Sequence, residues 1–229
     1  MVKIQHNTTM KTAILIGGYA RSGKSSALSH LQQTLPIHST SQELSRHVKI
    51  LIPYLEKLDF TSDTAKALTF PVSTAYVTTA QIYRALTDLG HKPDYCELFE
   101  IYKNHHQRLS GKTELTIRDI CITVAESTRL IYPDIYVDLV LRQTSGLNLV
   151  AMETIGGKEC SYMYSELKSL GYRVIGQNIR RKTELAGVDI RELIKDAQCD
   201  ILNRDIHNNH SKKYLADELD SIILSIRDE

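Results

Sequence analysis

Ala13-Ile14-Leu15-Ile16-Gly17-Gly18-Tyr19-Ala20-Arg21-Ser22-Gly23-Lys24-Ser25 is the stretch that decides the fold. Four apolar residues closed by a glycine pair are too few for a helix. They read as a buried strand of a parallel sheet. From Gly18 to Ser25 the chain satisfies G-x-x-x-x-G-K-[ST] in full, between that strand and a helix expected from Lys24 to Gln33. The physical content of the pattern is anion binding. Glycines let the backbone curl so that successive N–H groups of Gly18, Tyr19, Ala20, Arg21, Ser22 and Gly23 point at phosphate oxygens. The helix N-terminus, with Ser25 and Ser26 in its first turn, adds partial positive charge. Lys24 would reach the β- and γ-phosphates of a nucleotide, and the Ser25 hydroxyl would ligate Mg²⁺.

Working outward, a nucleotide held this way needs an acid near its magnesium. Leu147 to Met152 reads as a second buried strand and delivers Glu153 at its carboxyl end, where ligands bind in open α/β sheets. Asp134 and Asp200 are the rival acids. Further strands are expected at Pro36–Ser39, Tyr172–Gly176 and Asp200–Leu202. Helices are expected at 42–58, 78–89, 94–109, 116–130, from Pro133 to about Gln143, at 161–170 and at 212–226, with a Thr/Ser/Pro-rich loop or insertion at 59–76. Strands alternating with helices predict a parallel sheet with right-handed crossovers. The fold class expected is α/β, a P-loop nucleotide-kinase fold. It forms one domain over 1–229, with a helical insertion or acceptor region at 59–112 and a lid at 179–197. Arg180 and Arg181 follow a strand directly, where they could close over a transferring phosphoryl group.

Composition narrows the partners. The apolar and charged fractions, 42% and 24%, are those of an ordinary globular protein, and the formal net charge is only +1. Nucleic acid would therefore need a local basic patch. No apolar run approaches the roughly 20 residues of a membrane span. Residues 1–11 are polar, and Cys96, Cys121, Cys160 and Cys199 show no paired spacing. These features read as a cytoplasmic protein with reduced thiols and no membrane partner. An Asn-Lys-x-Asp element for guanine is not found, so ATP is the donor expected, with Mg²⁺ as cofactor.

With these residues in place, the chain resembles the bacteriophage deoxynucleoside monophosphate kinases and their relatives. The likeness spans Arg21-Ser22-Gly23-Lys24, the helix from Arg118 to Arg129, Pro133-Asp134-Ile135-Tyr136-Val137, Glu153-Thr154, the lid arginines and Asp200-Ile201-Leu202-Asn203. It implies a P-loop α/β kinase with a lid and a helical acceptor region, and places Asn203 by the donor adenine. One departure lies in the loop, and the others lie in the acceptor half. Ser25 stands where the family often has Asp, Ile122 and Ala125 stand where it has Gln and Gly, and Ile155 replaces an arginine after Glu153-Thr154. A site that recognises its ligand through polar groups loses heavily when they are removed. The resemblance therefore points to an altered acceptor, the hydroxymethyl group of 5-hydroxymethyluracil in phage DNA. The alternatives are a free deoxynucleoside monophosphate, or a P-loop switch that transfers nothing. Arg118 and Arg129, about three helical turns apart, would hold the acceptor's phosphate or a DNA phosphate. Glu43 would serve as base toward a hydroxyl. Lys103, His105, His106, Arg108 and Lys112, with Tyr95 and Tyr102, form the candidate DNA surface.

Overall fold

The computed structural model describes residues 10–18, 23–60, 62–153, 157–180, 204–208 and 211–227. The chain divides into two compact units, Met1–Thr40 with Val140–Glu229, and Ser41–Leu139. The second unit is wider than the 59–112 insertion read from the sequence.

The first unit is an α/β layer structure, a parallel sheet flanked by helices. Its strands are β1 (Thr12–Gly18), β2 (Ile37–Ser39), β5 (Leu149–Glu153), β6 (Arg173–Arg180) and β7 (Arg204–His207). They lie side by side in the order β2-β5-β1-β6-β7, and every pairing is parallel. Alternation along β1 explains the two apolar faces. Ile14 and Ile16 join Ala151, Ile179 and Ile206 on one face. Helix α1 (Lys24–Leu31) covers that face with Ala27 and Leu31. Helix α9 (Lys212–Arg227) covers it with Leu215, Leu219, Ile222 and Ile223, one stripe at helical spacing. His30 of α1 meets Asp220 of α9 at 2.7 Å. Ala13 and Leu15 point the other way and are equally buried, as are Cys160, Met163 and Leu167 of α8 (Gly157–Ser169). The chain runs from β1 to one side and from β5 back across β1 to β6. The connections diverge at the carboxyl ends of β1 and β5, and such a switch point is where open α/β sheets hold ligands.

The second unit is mainly helical. Helix α2 (Thr40–Leu51) leads into it, and α4 (Thr79–Asp88), α5 (Tyr95–Leu109) and α6 (Ile117–Arg129) build it with the start of α7 (Ile135–Thr144). Their buried residues, among them Val48, Leu55, Leu86, Ile101, Leu109, Ile120, Val124 and Tyr136, form one core. Helices α4, α5 and α6 each begin with a reciprocal capping box: Thr78 with Gln81, Asp94 with Glu97, and Thr116 with Asp119.

Several boundaries differ from the sequence reading. Helix α2 stops at Leu51 rather than Leu58 because Pro53 lacks a donor and pushes Ile52 to φ −125, ψ 80. The stretch 59–76 is not simply a loop. It holds α3 (Asp63–Lys66) and β3 (Thr69–Pro71), which pairs antiparallel with β4 (Glu114–Thr116). Strand β6 runs on to Arg180, so 179 and 180 belong to the sheet rather than to a lid, and 181–197 lie outside the described residues. The strand expected at Asp200–Leu202 also lies outside them, while 204–207 form β7. No helix among the described residues is long and apolar enough to cross a membrane.

Candidate active site

The expected phosphate loop is described at its two ends. Gly18 closes β1, Tyr19, Ala20, Arg21 and Ser22 lie outside the described residues, and Gly23 opens α1. Gly23 sits at φ 107, ψ 16, a left-handed conformation that a Cβ makes costly, and its carbonyl accepts the Ala27 N–H at 3.0 Å. The glycine before the lysine therefore has a conformational reason. It is the helix N-cap and supplies no side-chain cap. The first-turn N–H groups are thus not capped by the residue that precedes them.

Lys24 is half-buried at this turn. Burial lowers its pKa from the ordinary lysine value, and the Glu153 carboxylate opposes that shift by stabilising the charged form. Sheet order brings two residues so distant in sequence to the same edge. Strand β5 lies beside β1, with Glu153 opposite Ile16. Strand β2 flanks β5 on its other side, with Ser39 opposite Glu153. The Ser39 hydroxyl, itself buried, donates to Glu153 Oε2 at 2.9 Å. One residue on, Thr40 Oγ1 donates to Glu159 Oε2 at 3.3 Å, and both are buried. Ser39 and Glu153 are thus hydrogen-bonded at the carboxyl edge of the sheet, and Lys24 lies within electrostatic reach of Glu153. Ser25 is exposed and Ser26 half-buried in the first turn of α1.

The remaining expected residues lie on β6, in the second unit, or outside the described residues. Arg180 ends β6, paired in register with His207, while Arg181 and Asn203 lie outside the described residues. So does Asp200. The other rival acid, Asp134, belongs to the second unit, and burial followed by the Asp138 charge raises its pKa. Glu43 is also in the second unit, where its buried carboxylate takes the Arg46 guanidinium at 2.9 Å. Arg118 and Arg129 share a side of α6 but differ in setting. Arg118 is exposed, whereas Arg129 is half-buried with its guanidinium 5.1 Å from the Tyr136 ring centre.

The expected DNA surface is corrected by the structure. His105 is a core residue, with Nε2 2.8 Å from the Ala75 carbonyl, and burial lowers its pKa despite that hydrogen bond. His106 Nε2 is 2.8 Å from the Val77 carbonyl, and Arg108 pairs with Glu126 and Asn104. These side chains bind their own unit, and so 103–112 is not a continuous basic face. Sequence reasoning missed Ser39, whose role depends on strand order, and Asn208, which follows β7 and packs against Gly23. Neither position carries a local signal of that role. His105 did carry one, since Ile101, His105 and Leu109 recur at the spacing of one buried helix face.

No family model and no curated protein matches the chain. Among solved structures, the crystal structure of TT1252 from Thermus thermophilus aligns over 94% of this chain and 97% of that one, at 12% identity and a TM-score of 0.41. A likeness at that level says nothing of this chain's chemistry.

Proposed function

We propose that this chain is an ATP-dependent P-loop kinase that transfers a phosphoryl group to a deoxynucleotide. The observation that carries the reading is the placement of Lys24, behind a left-handed Gly23, within electrostatic reach of Glu153 at the end of the strand next to β1. A positive group and an acid at the carboxyl edge of a parallel sheet are what a magnesium–triphosphate needs. The donor set fits Mg²⁺. The Ser25 hydroxyl and the Glu153 carboxylate are hard oxygen ligands, and magnesium is usually held by one or two such groups together with phosphates and water. When bound, Mg·ATP would supply the phosphoryl group and neutralise part of its charge.

The chain's own residues have separable roles in this reading. Backbone N–H groups of 18–25 cradle the phosphates. Lys24 offsets charge on the β- and γ-phosphates, and its partial burial strengthens that interaction by excluding water. Ser39 fixes the orientation of Glu153. Arg180 and Arg181 are proposed to stabilise the transferring group, and Asn203 to face the adenine. Arg118 and Arg129 are assigned to acceptor phosphate.

The favoured acceptor from the sequence is the hydroxymethyl group of 5-hydroxymethyluracil in DNA, with Glu43 as base. A free deoxynucleoside monophosphate is the second reading. It gains from one observation, the commitment of His105, His106 and Arg108 to internal partners, because that acceptor requires no long basic surface. The deciding assay offers γ-labelled ATP, in parallel, to free deoxynucleoside monophosphates and to duplex DNA containing 5-hydroxymethyluracil. Label in the DNA alone supports the first reading, and label in a free diphosphate supports the second. Release of inorganic phosphate with neither product labelled would sink the kinase proposal in favour of a nucleotide-hydrolysing switch.

A further inference from the structure

The second unit carries a cavity that has no part in the kinase reading. It holds about 480 Å³ and is lined by Tyr76, Val77, Thr78, Thr79, Tyr102 and His106. That volume falls in the range of small-molecule sites. The local fold explains the lining. Ala75 and Val77 are buried, and Tyr76 between them is extended, at φ −71, ψ 131, so alternation turns its side chain outward. Two adjacent histidines of α5 clasp this segment. His105 Nε2 lies 2.8 Å from the Ala75 carbonyl, and His106 Nε2 lies 2.8 Å from the Val77 carbonyl. The His106 ring is thereby held in place, and two tyrosine rings lie against it. Ring centres are 4.1 Å apart for Tyr102 and 5.0 Å apart for Tyr76. Tyr76 is nevertheless 46% exposed, so one large ring remains open to a ligand.

The chemistry of the lining selects the class of that ligand. A carbonyl only accepts, so His106 Nε2 carries a proton, and Nδ1 is the acceptor of the neutral ring. The Tyr76 and Tyr102 phenols and the Thr79 hydroxyl have no hydrogen-bond partner among the described residues. Ring faces bordered by open donors and acceptors suit a flat heteroaromatic ring with polar edges. None of the six lining residues is Lys, Arg, Asp or Glu, so the lining matches a base rather than a phosphate. We infer that this cavity binds a nucleobase, that of a free nucleoside or nucleotide, stacked on Tyr76 beside His106. The inference goes beyond the phosphoryl-transfer reading and does not rest on it, since no residue of the loop or of the sheet edge takes part.

The experiment is calorimetric titration of the full chain with each of the four deoxynucleosides, which carry no phosphate, and separately with Mg·ATP. The proteins are wild type, Tyr76→Ala, Tyr76→Phe and Lys24→Ala, with a urea midpoint for each. At least one deoxynucleoside should bind wild type with a Kd under about 1 mM. Tyr76→Ala should weaken it about tenfold at an unchanged urea midpoint, and Tyr76→Phe, which keeps the ring, should stay within about twofold. Binding of none of the four overturns the inference, as does unchanged affinity in Tyr76→Ala. Deoxynucleoside binding lost in Lys24→Ala would put the base at the loop and overturn it too. Deoxynucleoside binding kept in Lys24→Ala supports it. Mg·ATP binding unchanged in Lys24→Ala sinks the kinase reading and leaves this inference standing. If Tyr76→Ala lowers the urea midpoint, ultraviolet cross-linking of wild type to 5-bromodeoxyuridine and 8-azidodeoxyadenosine decides. Adducts on Tyr76, Tyr102 or His106 support the inference, and adducts confined to other residues, or none, overturn it.

Discussion

The two units of this chain are built by different rules. The first depends on pairings between remote segments. Thr12 pairs with Leu149 and with Arg173, and Glu153 lies within electrostatic reach of Lys24 only because of that strand order. The second is specified largely by neighbours. Three of its helices carry their own capping boxes, and its core is a set of stripes at helical spacing. The difference teaches where each kind of substitution should be felt. A change in the first unit's edge residues should alter chemistry, and one in the second unit's caps or core should alter stability.

Four experiments press on this contrast. The largest effect is expected from Lys24→Ala, which should lower phosphoryl transfer by about a hundred- to a thousandfold with little change in urea midpoint. A variant that unfolds, or that stays active, would break the separation of chemistry from stability. Next comes acid. Burial, with the His105, His91 and Arg46 charges adding, pushes His47 down to about 3, from 6.5. The folded pKa is the lower one, so the folded state favours the neutral ring. That stability is intact above pH 6.5 and is lost as pH falls toward 3, at about 1.4 kcal/mol per pH unit. Comparing urea midpoints at pH 7 and pH 4 should show a steep acid loss that His47→Asn flattens, since its amide does not titrate. A parallel loss in both proteins would place the acid sensitivity elsewhere.

Gly23→Ala should cost roughly 1–2 kcal/mol for the left-handed backbone, since the Asn208 amide end can swing aside. Denaturant titration checks it, and a neutral result would mean the turn is looser than its geometry. The smallest effect is expected from Thr116→Ala, which removes one side of the α6 capping box and should cost about 1 kcal/mol. If it instead abolished transfer while leaving the urea midpoint in place, the second unit's caps would have a functional duty that the contrast denies them.

Much of the first unit was legible because its signals are short and local. The Ala13–Ile16 run gave β1, and Gly23-Lys24 gave the start of α1. The Leu147–Met152 run placed Glu153 at a strand end. What the sequence could not carry was order across the sheet. Ser39 reads as the last residue of a short strand, and only the position of β5 between β2 and β1 makes it the partner of Glu153. Asn208 is invisible for the same reason. In the second unit the long helices were legible from their stripes, while β3 and β4 were missed. Each is three residues long, and their pairing joins segments separated by two helices. Within the basic cluster, His105 was misread because charge type was weighed over spacing. His105 falls on the apolar stripe of α5, and position decided its burial.

The register of β1 also has a consequence in time. During synthesis, the apolar run Ala13–Ile16 emerges early, whereas its neighbours β5 and β6 lie well over a hundred residues downstream. At the rate of chain growth, roughly 5–20 residues per second, that interval lasts on the order of 10 seconds. The segments translated meanwhile are the locally capped helices, whose contacts close without waiting for the sheet. A nascent chain stalled before residue 149 should therefore expose an unpaired apolar strand. Such a chain would be a substrate for holding chaperones, even after its helices have formed.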